Sequence, residues 1–168
     1  MRRRSALLAL ALPFAPGCGP PSLPPSSPSP LLGKPAPAFR RVAIDGSTID
    51  TAALRGQTVV LKVFARYCEP CKRTLPAVER LHKKNPRVVF LGISEDETEE
   101  EAQQMVSAFA LTFPVLLDRG NVLLGRLRIS EMPATFLIDR AGVLRWYGDA
   151  SQGEQQLADA IEAIDRAP

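Results

Sequence analysis

The most constraining feature of this chain is Cys68-Glu69-Pro70-Cys71, set directly behind the apolar run Val59-Val60-Leu61-Lys62-Val63-Phe64-Ala65. An apolar run of that length, bounded by a turn, reads as a buried strand. Behind it Cys71, Leu75, Val78 and Leu81 recur at three- and four-residue spacing, as they do along one face of a helix. A strand that delivers a Cys-x-x-Cys pair to the first turn of a helix makes a redox site. Two sulfurs this close can join in a small disulfide ring. Unpaired N–H groups and the dipole at the helix N-terminus favour the thiolate of the first cysteine. The thiolate is the species that attacks disulfides.

The chain holds three cysteines, Cys18, Cys68 and Cys71, and one histidine, His82. A structural disulfide framework wants more cysteines in a shorter chain. A zinc site needs four ligands, or three and water, and only Cys18 and His82 remain as soft donors, so no metal site is expected. Covalent haem attachment needs His after the second cysteine, where this chain has Lys72. No cofactor is expected.

The N-terminus points to export. Met1-Arg2-Arg3-Arg4 is a basic n-region, and Ser5 to Leu12 is an apolar segment too short to span a bilayer but suited to a signal peptide. It leads into Ala15-Pro16-Gly17-Cys18, which resembles the lipobox of bacterial lipoproteins, although Ala15 stands where that pattern prefers Leu. Residues 1–17 are therefore expected as a signal peptide. Cys18 is expected to carry lipid, with ordinary cleavage after Gly17 as the alternative. Residues 18–34 are rich in Pro and Ser and are expected to be an extended tether that cannot form a core. Residues 35–168 then form one domain of common size. The formal charge of +3 includes three arginines of the signal, so the exported chain is near neutral. No basic stripe with interleaved aromatics marks a nucleic-acid partner.

Within the domain, Val42 to Ile44 and Thr48-Ile49 flank Asp45-Gly46 as a hairpin. Strands are expected at Val59 to Ala65, Val88 to Ile93, Val115 to Leu117, Ala134 to Ile138 and Val143 to Tyr147. Helices are expected from Cys68 to about Lys84, kinked at Pro76, from Thr98 to Ala110, and at the C-terminus with Leu157, Ala160, Ile161 and Ile164 on one face. Alternating strands and helices followed by a terminal hairpin indicate an α/β fold, a central mixed sheet with helices on both faces.

Several motifs in order now resemble a family. These are Gly33-Lys34-Pro35-Ala36-Pro37-Ala38-Phe39, Leu54-Arg55-Gly56-Gln57, the Cys68–Cys71 motif, Phe113-Pro114-Val115 with Leu117-Asp118, and Met132-Pro133-Ala134-Thr135-Phe136-Leu137-Ile138-Asp139 with Gly142. The chain resembles the exported TlpA or ResA-like thiol–disulfide oxidoreductases over nearly the whole domain. The resemblance implies a thioredoxin-like fold and exchange with, in the reducing direction, the disulfides of other exported proteins. Cytochrome c maturation intermediates and metallochaperones are the substrates it suggests. It implies Cys68 as the attacking thiol, Cys71 as the resolver, a cis Pro133 facing the sulfurs, and a Met132 backbone that pairs with incoming peptide. It further implies a monomer on the periplasmic or outer side of a bacterial membrane, supplied by an upstream membrane thiol donor.

Departures bear on tuning. Tyr67 stands where the family has Trp, Lys62 where it often has Asn or an acid, and Thr74 where some reductive members place Glu. Lys62 and Arg66, if near the sulfurs, favour thiolate, while Glu69 opposes it; Lys62 is alternatively a side chain reaching out of the sheet to solvent. Glu95-Asp96-Glu97 and Glu99-Glu100-Glu101 read as a solvated first helical turn. Trp146 and Tyr147 read as core or sheet-surface aromatics. A peroxiredoxin-like thiol peroxidase is one alternative, but it needs Thr three residues before its cysteine, where this chain has Ala65. A non-enzymatic metal-handling protein is another, and that class uses three residues between its cysteines.

Overall fold

The computed structural model describes residues 22–167. The expected signal at residues 1–17 and the lipidation site Cys18 lie outside the described residues. A short hairpin comes first, β1 (Arg40–Val42) antiparallel to β2 (Thr48–Asp50), turned at Gly46 with φ +83°. The order then runs β3 (Val59–Phe64), α1 (Glu69–Lys84), β4 (Val89–Ser94), α2 (Glu99–Ala108), β5 (Val115–Leu117), α3 (Val122–Arg126), β6 (Ala134–Ile138), β7 (Leu144–Gly148) and α4 (Glu154–Asp165).

The last five strands form one mixed sheet in the order β5-β4-β3-β6-β7. β3, β4 and β5 are parallel, β6 joins β3 antiparallel, and β7 pairs antiparallel with β6 and so runs in the direction of β3. β3 is central and buried along its whole length, which is why it reads as a continuous apolar run instead of an alternating one. Two successive crossovers of the same hand step the same way along the sheet, so α1 and α2 fall on one face. There Cys71, Leu75, Val78, Met105, Leu157 and Ile161 share a core with Val60, Phe64, Leu137 and Trp146. On the other face Leu123, Leu124 and Leu127 pack over Leu61, Val63, Ile93 and Phe136. The thioredoxin-like layering expected from the sequence is present.

Two parts of the architecture differ from the sequence reading. α3 is an additional element: Asn121 takes a left-handed φ of 56°, and buried Asp118 caps the turn by accepting from the N–H groups of Leu123 and Leu124 at 2.7 and 2.9 Å. The Pro/Ser segment, expected as free spacer through residue 34, instead runs along β7 from Pro25 onward. Ser27 N donates to Tyr147 O, Gly33 N to Leu144 O, and Leu144 N to Lys34 O, at 2.8 to 2.9 Å. β7 is an edge strand whose outward groups would otherwise template pairing with another chain, and this strap covers them.

Candidate active site

α1 starts where β3 ends, and Cys68 is its N-cap. The Cys68 Sγ accepts the Cys71 N–H at 3.2 Å, as a serine or aspartate oxygen does at other helix starts. Pro70 fits the first turn because its missing N–H would have had no helical partner there. One turn of helix thus brings Cys71 to Cys68, and the two are joined in a disulfide with Cα atoms 5.2 Å apart. The sulfurs are unequally placed. Cys71 is fully buried against Leu75 and Phe64, whereas Cys68, 6% exposed, lines an open groove of about 480 Å³ with Tyr67, Pro70, Ile129 and Met132. The Met132–Pro133 peptide is cis, and Met132 forms part of that groove, so the loop expected at the site and the Cys-x-x-Cys turn meet at one end of the sheet.

Side chains from the next strand end hold the loop before Cys68. Asp96 is buried and accepts from Arg66 N at 2.8 Å and Ser94 Oγ at 2.7 Å. Glu95 accepts from Tyr67 Oη at 2.8 Å and from Asn121 Nδ2 at 3.0 Å. Partial desolvation, that hydrogen bond and the nearby charges of Glu95 and Asp96 push the Tyr67 hydroxyl up to about 12. The acidic run therefore divides. Glu95 and Asp96 brace the site, while α2 begins only at Glu99, with Thr98 and Glu101 closing a reciprocal cap. Composition and spacing cannot distinguish these two uses of a carboxylate.

The residues expected to tune the sulfurs fall differently. Arg66 turns its guanidinium to Glu101, at 2.7 Å, so its charge is compensated. Thr74 donates to the Cys71 carbonyl at 3.0 Å and brings no carboxyl to the thiols. Lys62 does not reach solvent: it is 2% exposed and donates to Thr135 Oγ1 at 3.2 Å. Burial holds its amine down at about 7. It faces a pocket under α1 and α4, lined also by Thr74, Trp146 and Gly148, and does not line the groove at Cys68. His82 packs between Phe90 and Phe113 with ring centroids at 5.2 and 5.7 Å, and Trp146 is core.

The model of the AhpC/TSA family matches residues 32–147, from the strap to the last strand. The chain belongs to this family. Within it, the thiol–disulfide oxidoreductase ResA of a Bacillus cereus strain is 30% identical over 135 residues, covering 79% of this chain and 78% of that one. A secreted Mycobacterium tuberculosis disulfide oxidoreductase, described as homologous to E. coli DsbE, superposes with a TM-score of 0.69 at 25% identity, over 75% of this chain and 96% of that one. StoA from Bacillus subtilis, at 23% identity, shares the fold with a TM-score of 0.65 over 74% of this chain and 96% of that one. With the disulfide in place at the helix start, this AhpC/TSA member is a ResA-like thiol–disulfide oxidoreductase that exchanges with protein disulfides. At the position where the peroxidase alternative needs Thr, Ala65 is buried and offers no hydroxyl to a peroxide at Cys68.

Proposed function

We propose that the protein is exported, is held at the outer face of a bacterial membrane through Cys18, and reduces the disulfides of other exported proteins. Cys68 is the attacking thiolate and Cys71 the resolver. The observation that carries this assignment is the asymmetry of the pair, in which Cys68 lines the groove and Cys71 does not. In the reduced protein the Cys68 thiolate attacks one sulfur of the partner disulfide, forming a mixed disulfide and releasing the partner's second sulfur as thiolate. Cys71 then loses its proton and attacks Cys68 Sγ, closing the Cys68–Cys71 disulfide and releasing the partner's first sulfur. Two electrons have then passed to the partner, whose two thiolates take up the proton lost by Cys71 and one from solvent. A dithiol on an upstream membrane protein returns the pair to the reduced state. Substrate backbone lies along Met132 and Pro133, beside the attacking sulfur.

The reducing direction is supported by the charges around the pair. A strongly oxidising couple needs positive charge that stabilises the reduced thiolate. Here Arg66 is neutralised by Glu101 and Lys72 by Glu69, while Lys62 is buried in the pocket under α1 and α4, away from the groove at Cys68. Cytochrome c maturation intermediates or metallochaperones are substrates of the right class. The test is trapping. Cys71→Ser is expected to accumulate mixed disulfides with exported proteins and Cys68→Ser to accumulate none; equal trapping by both variants sinks the assignment.

A further inference from the structure

The strap has a direction as well as contacts. β3 runs toward Cys68, and its partner β6 starts beside Pro133, so Val63 pairs with Ala134 at the disulfide end and Val59 with Ile138 at the other. β7 returns antiparallel, which brings Gly148 level with Thr135 at the disulfide end and Leu144 level with Ile138 at the far end. The strap runs opposite to β7. Ser27 bonds Tyr147 and, through its hydroxyl, Asp149 at 2.7 Å and Gln152 at 2.9 Å, whereas Gly33 bonds Leu144 and Ala36 bonds Gly142. Pro25 O receives the Trp146 indole N–H at 3.3 Å, and Ser26 Oγ both donates to Tyr147 O and accepts from Tyr147 N at 2.9 Å. The chain therefore joins the domain at the end that carries the disulfide.

We propose that this strap is an orienting device: it turns Cys68 toward the membrane that holds Cys18, so that the exchange partner is a cysteine pair held at the lipid surface. This rests on the anchored reading given above. A chain leaving the domain at Pro35, where an isolated bridge to Val143 marks the far end, would present the opposite end to the membrane. With the strap docked, only residues 19–24 separate Cys18 from Pro25, a span of at most about 25 Å when fully extended. The sulfurs lie two strand spacings, about 10 Å, to the side of β7. The far end of the sheet is about 15–20 Å farther from the lipid along the strands. Glu69, Glu95 and Glu131 line the groove at the disulfide end, so this end faces an anionic bilayer across water and does not insert into it.

Orientation can be read without any exchange activity. In the chain from Cys18 with the Cys68–Cys71 disulfide intact, Cys18 carries the free thiol, and it is coupled to a maleimide lipid in vesicles. A fluorescent amino acid is placed at Glu131, at the disulfide end, or at Ala141, in the far turn, and energy transfer to a headgroup acceptor is measured. The proposal expects at least twofold stronger transfer from position 131, and a smaller difference once Ser27→Pro unpins the strap. Equal transfer, stronger transfer from position 141, or a difference that Ser27→Pro leaves unchanged overturns it. Because the vesicles are loaded chemically, their result does not depend on processing in the cell. If the native protein carries no lipid on Cys18, the anchored reading fails separately, and the surface-held partner fails with it.

Discussion

Replacing Lys62 with methionine tests how the core beneath the site is built. An unfolded lysine titrates near 10.5, and burial holds this one at about 7. At about 1.36 kcal/mol per pH unit, that gap makes the buried ammonium cost on the order of 5 kcal/mol below pH 7. Arg73, Arg80, Asp149 and Glu154 line the same pocket, Arg80 and Glu154 as an ion pair at 2.6 Å, and burial is what lowers the Lys62 amine. Below pH 7 both folded and unfolded chains are protonated at Lys62, and the cost is present in full. Between pH 7 and about 10 the folded chain has shed a proton that the unfolded chain keeps, so stability rises by up to about 1.4 kcal/mol per pH unit. Above about 10.5 both forms are neutral and the dependence ends. Lys62→Met removes this contribution at the expense of the Thr135 hydrogen bond, worth about 1 kcal/mol. Urea unfolding with the disulfide intact, compared between the two proteins from pH 6 to 9.5, is expected to show the variant several kcal/mol more stable at pH 6. That advantage should shrink steadily as pH rises. A difference constant across the range refutes the reasoning, because it means that the amine keeps its ordinary affinity for protons.

Two further outcomes concern β7 and its cover. A Cβ at Gly148 would collide with the Trp146 ring, so Gly148→Ala is expected to cost about 1–3 kcal/mol by overpacking and to shift the emission of the single tryptophan; an unchanged urea midpoint refutes it. Removing the strap, by starting the chain at Pro35 instead of Gly19, deletes the backbone and serine bonds to β7 at roughly 0.5–1.5 kcal/mol each. Stability is expected to fall by about 2–5 kcal/mol with self-association through the bared edge, and a monomer of unchanged stability contradicts this.

The sheet is legible in the sequence because its strands are short apolar runs and its helices carry clean three- and four-residue spacing, from Leu75 to Leu81 and from Leu157 to Ile164. The Cys68 cap and the Met132-Pro133 loop are legible because their chemistry is tied to residue type. What escapes is held by single polar contacts. α3 depends on Asp118, whose carboxylate caps a turn five residues on, and no periodicity announces it. Glu95 and Asp96 share a run with helix-capping carboxylates, and only the sheet topology brings them under Tyr67 and Arg66. The strap has the composition of a free spacer, but the unpaired edge of β7, a property of the assembled sheet, gives its backbone partners. Lys62 is ambiguous in sequence because a lysine on a strand can reach water; here the layer of α1 and α4 closes over it.

The most direct test of the reducing role is the reduction potential of the Cys68–Cys71 couple, from equilibration in thiol–disulfide buffers at pH 7 with the two cysteines followed by mass after alkylation. Arg66 compensated by Glu101, Lys72 by Glu69, and Lys62 buried away from the groove leave little positive charge to stabilise the thiolate, so a potential below about −200 mV is expected, on the thioredoxin side of the known range. A value of about −120 mV, where the strongly oxidising couples lie, would contradict it.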